Sequence, residues 1–415
     1  MALPGVGVPG RVPFWFSLVD DLRCRSTYRL VINSAITKFY IYEECVEKIR
    51  SIHYLRGVAA LAVVAFHLRS NLNGVYAQEN LGYLLFSGGA SGVDLFFIIS
   101  GFIIALSTAK KSQSNTSDFI IKRVFRIYPI LIISLFLLFF IMPDSNISNY
   151  LRSAIPLHAN YKDEAPFFGW NSLITAWTLT YELYFYMIFI ISMSISHKFR
   201  TLICSSIILA TIFCSQLYFN GGVNLSGGSS ISMAEESNIG MFLRFASSPM
   251  MIEFVYGMLL YNLRNVYKHV PMPNVVIFLG VSFYICCFMS GYRGGFGPVN
   301  FGIWGLLIVI SSLVLESNRE LKYNSILSFF GDISYSLYMS HILVIELFRQ
   351  AWPDAPIYSA GAGFSRFLLL MSISIVVSYF AFTYIEKPFI KYGRRLISEI
   401  NSKIYKTERA RDSAS

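Results

Sequence analysis

Ten apolar segments, each long enough to cross a bilayer as a helix, constrain what this chain can fold into. A spanning helix needs about 20 mostly apolar residues. In lipid, only helices and closed barrels satisfy all their backbone hydrogen bonds. The predicted spans are residues 51–70, 83–108, 125–142, 172–195, 201–219, 244–262, 274–291, 299–316, 326–348 and 366–386. The sequence therefore predicts an all-α fold, a polytopic bundle of about ten transmembrane helices.

The composition agrees with a membrane protein. Hydrophobic residues make up 54% of the chain and charged residues only 14%, against about 25% charged residues in a soluble domain. The net charge of +10 is explained by basic loops on the cytoplasmic side of the membrane. Because no basic run is interleaved with aromatic residues, we exclude nucleic acid as a partner and expect membrane lipids.

The distribution of basic residues predicts the orientation and the domains. Most of the 34 lysines and arginines fall before the first span, after the last span and in alternate connections. By the positive-inside rule this places both termini in the cytoplasm. We expect residues 1–50 to be a cytoplasmic extension, either flexible or the product of a mis-assigned start. Residues 51–388 form the membrane domain, and residues 389–415 form a basic cytoplasmic tail.

Two ionisable residues within the first span are the strongest functional signal. His67 follows Arg56 by eleven residues, which is about three helical turns, so both lie on one face about 16 Å apart. Ionisable groups in hydrocarbon are costly and mark functional sites, and imidazole moves protons near neutral pH. The alternative is a histidine that only bonds a neighbouring helix. We favour catalysis, because other spans also carry ionisable residues.

Those other residues are expected to converge with the first pair on a common interior. The set at membrane depth is Arg56, His67, Asp94, Glu182, Glu253, His341 and, near the inner end, Glu386. Asp94 is a candidate to line a polar cavity, or else a structural partner for Arg56 or a backbone group. Glu182 is a candidate to orient His67, as a carboxylate does for a catalytic imidazole; its alternative role is electrostatic, at a helix terminus.

Two further patterns have both a functional and a structural interpretation. Arg123 and Arg126 lie three residues apart where the third span begins, either as cytoplasmic anchors or as a guanidinium pair for a phosphate-bearing ligand. Tyr335, Tyr338 and His341 recur at intervals of three in the ninth span. They form either a hydrogen-bonded seam or, for Tyr338 and His341, part of a substrate cavity. Glu386 fits a helix end better than a site.

The chain lacks the motifs of nucleotide-driven, metal-dependent and serine-nucleophile enzymes. It contains no Walker loop, dinucleotide fingerprint or zinc spacing and no Gly-x-Ser-x-Gly elbow. Its six cysteines show no metal or disulfide spacing. We therefore expect no bound cofactor and no metal, and acid–base chemistry on an activated donor.

Over residues 50–390 the chain resembles the acyltransferase family 3 membrane proteins, which O-acylate bacterial surface and extracellular glycans. The resemblance rests on several motifs in order. They are Arg-x10-His ending at His67, Gly-Val-Asp-Leu-Phe-Phe-x-x-Ser-Gly-Phe at 92–102, Arg-x-x-Arg at 123–126, Trp-x-Leu-x-x-Glu at 177–182, Ser-Tyr-x-x-Tyr-x-x-His at 334–341 and Glu-Lys-Pro at 386–388.

The resemblance implies a substrate pair and roles for the residues. The donor is a cytoplasmic acyl-coenzyme A, usually acetyl-CoA, and the acceptor is a sugar hydroxyl of a glycan or lipid-linked oligosaccharide on the outer side. His67 is implied as the catalytic histidine. Arg56, Arg123 and Arg126 are implied to help hold the donor. The location implied is the bacterial inner membrane, with residues 51–388 as the acyltransferase domain.

Two mechanisms and two rival functions remain open. His67 acts as general base on the acceptor hydroxyl, oriented by Glu182 or Asp94, or it forms a covalent acyl-imidazole. The first rival function is a transporter or flippase for lipid-linked glycans, without acyl transfer. The second is a sensory or scaffolding membrane protein that needs no acyl donor.

Overall fold

The computed structural model describes residues 49–109, 116–142, 147–232 and 237–412. All regular structure in these ranges is helical, without a β-strand, so the predicted all-α fold is confirmed. The predicted N-terminal extension lies outside the described residues, except for residues 49 and 50.

Fourteen α-helices make up the described chain, joined by loops and short 3₁₀- or π-turns. They are α1 (Arg50–Leu68), α2 (Leu81–Phe86), α3 (Gly92–Ser107), α4 (Thr116–Ile141), α5 (Ile147–Ala154), α6 (Trp177–Ile195), α7 (Arg200–Asn220), α8 (Asn238–Ala246), α9 (Ile252–Asn262), α10 (Pro273–Ser290), α11 (Phe301–Asn318), α12 (Ser325–Glu346), α13 (Phe364–Ala381) and α14 (Lys387–Asp412).

Eight helices within the described residues are long and apolar enough to cross a membrane. The predicted span 244–262 is divided between α8, a 3₁₀-turn at Pro249–Met251 and α9, which has only 11 residues. Helix α12 has the length of a span, 22 residues, but its serines and His341 make it less apolar. The count of about ten spans, and the orientation, stay predictions.

Helices α1 and α12 run in parallel and meet at two glycines. A Cβ at Gly57 would lie 2.7 Å from the backbone nitrogen of Gly331, and a Cβ at Gly331 would lie 2.5 Å from the carbonyl oxygen of His53. No side chain fits in so short a distance, so this close approach requires glycine on both helices. Ten residues further along each helix, His67 and His341 meet.

The start of α1 is held by a carboxylate of α11. Glu316 accepts hydrogen bonds from the backbone nitrogens of Arg50, at 2.7 Å, and Ser51, at 2.9 Å. These N–H groups have no partner within the helix, and a negative charge is favourable at this end of it. His53 lies 3.1 Å from Asp332 of α12. We call the end of the bundle where α1 begins the near end, and the end where α1 finishes the far end.

Glycines also bring α3 and α9 into backbone contact. A Cβ at Gly101 would lie 2.2 Å from a carbonyl oxygen of α9, and a Cβ at Gly257 would lie 2.0 Å from a carbonyl oxygen of α3. Because the two helices approach so closely, the side chains of their first turns meet. Those side chains include Asp94 and Glu253.

The connection from α5 to α6 buries a histidine at the far end. His158 has no exposed surface, and its ring centroid lies 5.2 to 5.6 Å from those of Tyr161, Phe168, Tyr181 and Phe245. Burial in this aromatic cage lowers the pKa of His158 to about 3, because the charged imidazolium is poorly solvated there.

We expect His158 to make the fold sensitive to acid. An unfolded histidine has a pKa of about 6.5, so below that pH the unfolded chain takes up a proton that the folded chain excludes. The stability contributed by neutral His158 is complete above pH 6.5. It falls by about 1.4 kcal/mol per pH unit as the pH decreases toward 3.

The measurement is the thermal unfolding of the detergent-solubilised chain at pH 7 and pH 5. His158→Phe should lose less stability than the wild-type chain over this interval. His269→Phe, the same change at an exposed histidine, is the control and should behave as wild type. Equal losses in all three proteins would contradict the expectation.

Candidate active site

Two imidazole rings meet where α1 and α12 approach the far end. The centroids of His67 and His341 are 5.1 Å apart, and their ring planes are inclined by 48°. His67 is half-buried and lies one residue before the end of α1, whereas His341 has no exposed surface. Because α1 is unbroken from Arg56 to His67, the predicted spacing of about 16 Å applies.

The tautomer of His341 follows from its hydrogen bond. Its Nδ1 lies 2.9 Å from the carbonyl oxygen of Leu337, one turn earlier on α12. A carbonyl only accepts, so Nδ1 carries the proton and Nε2 of the neutral ring carries the lone pair. This Nε2 is buried and has no hydrogen-bond partner in the described part of the chain. A basic nitrogen is therefore available beside His67.

The structure brings an imidazole, not a carboxylate, against His67. Among the described residues, the titratable groups that act on His67 electrostatically are His341 and Arg69. Asp94 and Glu182, the two acids expected to orient His67, form their hydrogen bonds with other groups. Orientation of His67 by either acid stays a prediction.

The three arginines expected to hold the donor belong to one group of charged residues, nearer to the start of α1 than the histidine pair is. Arg56 of α1 interacts electrostatically with Arg126 of α4, and with Glu182 and Glu386. Arg126 also interacts with Glu386, so the charges form one network rather than separate pairs. We call this group the arginine cluster. Its members are Arg56, Arg123, Arg126, Glu182 and Glu386.

Helix α6 supplies the contacts that hold Arg123 and Glu182. The guanidinium carbon of Arg123 lies 5.4 Å from the ring centroid of Tyr186, within the range of a cation–π contact. The Tyr186 hydroxyl donates to Glu182, which also accepts from Ser100 of α3 at 3.1 Å. Through Glu182 the cluster is therefore tied to α3 and α6, in addition to α1 and α4, which carry its arginines.

Glu386, at the end of the last predicted span, also belongs to the arginine cluster. It closes a π-turn, Phe382–Glu386, that joins α13 to α14, and it is only 4% exposed. The hydroxyl of Ser336 on α12 donates to it at 2.6 Å. Sequence reasoning favoured a helix end here, although the position of an acid at membrane depth was already a signal.

Asp94 and Glu253 form a separate buried pair of carboxyl groups. Neither has exposed surface, and the two side chains face each other. Oδ2 of Asp94 and both carboxyl oxygens of Glu253 are buried and have no hydrogen-bond partner in the described part of the chain. The other oxygen contact of Asp94 is the backbone nitrogen of Gly297, at 2.8 Å. This contact matches the structural alternative for Asp94, a bond to a backbone group.

The aromatic residues of α12 form a hydrogen-bonded seam. The Tyr335 hydroxyl donates to the carbonyl oxygen of Ile127 on α4 at 2.8 Å. The Tyr338 hydroxyl lies 3.0 Å from Oγ1 of Thr178 and 3.4 Å from the carbonyl oxygen of Thr175. These bonds lock α12 to α4 and to the start of α6. They therefore fix the position of His341, one turn further along.

Comparison with known proteins assigns the chain to a family. A family model described as an acyltransferase domain, that of acyltransferase family 3, matches residues 49–383. The chain belongs to acyltransferase family 3. It is an acyltransferase, and the matched region contains the histidine pair and all of the arginine cluster except Glu386.

Three curated relatives extend the comparison. Exopolysaccharide production protein ExoZ of Rhizobium meliloti (strain 1021) is 25% identical over 338 residues, which cover 77% of this chain and 95% of ExoZ. Acyltransferase MdmB of Streptomyces mycarofaciens is 23% identical over 386 residues, 84% of this chain and 94% of MdmB. A provisionally named O-acetyltransferase of Staphylococcus aureus (strain COL) is 25% identical over 387 residues, 83% of this chain but 58% of that protein. No solved structure matches the chain.

Substitutions at Asp94 separate a structural from a chemical role. Asp94→Asn keeps an oxygen for the N–H of Gly297 and gains an amide donor toward Glu253, so its free energy of unfolding should stay within about 1 kcal/mol of wild type. Asp94→Ala leaves both partners unpaired and should destabilise the fold by about 1–3 kcal/mol.

The measurement is denaturant unfolding in detergent, with acyl transfer followed in parallel. We expect Asp94→Asn to remain active. A stable Asp94→Asn protein without acyl transfer would instead assign Asp94 to the chemistry.

Proposed function

We propose that this family member is a membrane O-acyltransferase that moves an acyl group, acetyl in particular, from cytoplasmic acyl-CoA to a sugar hydroxyl of a surface or extracellular glycan. His67 is its general base. The observation that carries the proposal is the contact between His67 and His341 at the far end of α1. Nε2 of His341 has no hydrogen-bond partner in the described part of the chain, so a free ring nitrogen lies beside His67.

The arginine cluster supports an anionic donor that enters from the near end. Guanidinium groups bind phosphate through two parallel hydrogen bonds, and coenzyme A carries phosphates at its nucleotide end. Arg56 and His67 are about 16 Å apart on one helix, a distance of the same order as the pantetheine arm. The arginines would thus hold the phosphates while the thioester extends along α1 to the histidine pair.

The reaction is an acyl transfer in which one imidazole, that of His67, carries a proton from the acceptor hydroxyl to the leaving thiolate. The acceptor oxygen attacks the thioester carbonyl while His67 takes the hydroxyl proton. The carbon–sulfur bond then breaks, and the coenzyme A thiolate leaves and takes the proton from the imidazolium. His341, packed against His67 and bonded to Leu337, keeps the first ring in place during both proton transfers.

The nature of the acceptor is supported by the relatives. ExoZ is named for exopolysaccharide production, and the Staphylococcus aureus relative is provisionally named an O-acetyltransferase. A glycan hydroxyl fits both names. We place the acceptor at the far end, which the charge distribution predicts to be the outer side, and the chain in the bacterial inner membrane.

Loss of His67 should abolish acylation. In a bacterium whose own copy of this protein is deleted, expression of the wild-type chain should restore O-acetyl groups on the surface glycan. His67→Ala should lower the acetylation rate by about 10²–10⁴-fold, the usual contribution of a general base. The readout is mass spectrometry of the glycan, and His269→Ala, at an exposed position, is the matched control.

The same experiment tests the rival functions. If the glycan carries no acetyl group in any strain, yet His67→Ala reduces the amount that reaches the surface, the chain is a flippase and our proposal is wrong. A strain with both Arg56→Ala and His67→Ala that keeps full acetylation would favour a sensory or scaffolding role.

The direct mechanism predicts that the protein itself is not acylated. When the purified chain is incubated with radiolabelled acetyl-CoA and no acceptor, we expect no label on the protein after rapid quenching in denaturant at neutral pH, where an acyl-imidazole would survive longer than in acid. Label that is present in the wild-type chain and absent from His67→Ala would establish the acyl-imidazole route instead.

A further inference from the structure

A cavity of about 320 Å³ lies at the far end, between the connection that leads into α6 and the last turns of α12. Its lining combines an apolar side, which includes Ile174 and Ile342, with amide, hydroxyl, carboxylate and guanidinium groups. The polar residues of the lining are Asn149, Asn171, Ser172, Glu346 and Arg349. Its volume is near the lower limit for small-molecule sites, about 300–1,000 Å³.

The wall formed by the connection is held in place by its own hydrogen bonds. The amide nitrogen of Asn171 donates to the carbonyl oxygen of Leu157 at 2.7 Å. The backbone nitrogen of Ser172 donates to Oγ of Ser153 on α5 at 3.0 Å. Asn171 is only 3% exposed, and its Oδ1 makes no hydrogen bond within the described residues. The wall is therefore fixed while one of its acceptors is unused.

The opposite wall carries a buried carboxylate. Glu346 is 6% exposed, and Nη2 of Arg349 lies 2.7 Å from its Oε2. The side chain of Arg349 is 57% exposed, so the counter-ion sits at the mouth while the acid sits inside. A buried carboxylate is costly unless further donors reach it. The hydroxyl groups of a ligand are such donors.

The cavity lies further along α12 than the histidine pair, and neither histidine lines it. Ile342, which lines the cavity, follows His341 directly on α12. Glu346 lies about 7.5 Å beyond His341 along the helix axis. Ile174 is adjacent to Thr175, whose carbonyl oxygen lies 3.4 Å from the Tyr338 hydroxyl. A ligand in the cavity therefore lies beyond the pair, on the side away from the arginine cluster.

We infer that this cavity binds the sugar unit that carries the acceptor hydroxyl, and that this unit is uncharged. The inference rests on the proposed function. Hydroxyl groups of the sugar donate to Glu346 and to Oδ1 of Asn171, while Arg349 donates to a sugar oxygen, and the apolar side packs against the ring. An acidic sugar is disfavoured, because its carboxylate would face Glu346. The volume suits a single unit of a polymer, with the rest of the glycan outside.

The test uses the full-length chain in lipid nanodiscs, where both ends are accessible. The donor is radiolabelled acetyl-CoA, and the acceptor is surface polysaccharide purified from the His67→Ala strain. Glu346→Gln changes only the charge of the buried acid. Ser172→Phe fills the cavity from the other wall. Glu399→Gln, the same chemical change at an exposed position on α14, is the control.

We expect Glu346→Gln and Ser172→Phe each to raise the KM for polysaccharide by about 10-fold or more. The KM for acetyl-CoA should stay within about twofold of wild type, and Glu399→Gln should change neither. An unchanged KM for polysaccharide, or a parallel rise of both KM values, would overturn the acceptor site while leaving the proposed function intact. If the wild-type chain transfers no label, the proposed function fails and the acceptor site fails with it.

Discussion

The structure depends on the parallel packing of α1 against α12. Gly57 and Gly331 allow the two backbones to touch, and from that contact both helices run side by side to the imidazole pair. Neither helix could bring its histidine to this place alone, since the pair consists of one ring from each. Glu316 holds the start of α1, and the tyrosine seam holds α12.

The free-energy cost of burying ionisable side chains at membrane depth is offset in three different ways. The arginine cluster compensates charge with opposite charge. Asp94 faces Glu253 and accepts a hydrogen bond from the backbone nitrogen of Gly297. The two histidines need no counter-charge when their imidazole rings are neutral. In this pair, Nε2 of His341 has no hydrogen-bond partner among the described residues, and for this reason we assign the proton transfer to the pair.

The helical bundle and the first pair of site residues could be predicted from the sequence, because both depend on patterns within single helices. Helical periodicity placed Arg56 and His67 on one face, and apolar length predicted the bundle. Which side chain meets His67 depends on contacts between segments far apart in sequence, and no periodicity reports them. The sequence analysis therefore proposed a carboxylate as the partner of His67, whereas the structure has His341 beside it. The cavity beside Glu346 was missed for the same reason, because residues from α5, a loop and α12 line it together.

The glycine contact between α1 and α12 can also act as a pivot about which the two helices rotate. The histidines lie about 15 Å beyond it along each axis, so a rotation of about 5° between the helices at the glycines moves one ring past the other by about 1.3 Å. Displacements near 1 Å can slow a positioned reaction about a hundredfold. Any event at the near end that tilts α1, such as the arrival of a phosphate-bearing molecule among the arginines, would be amplified mechanically into alignment or misalignment of the two rings.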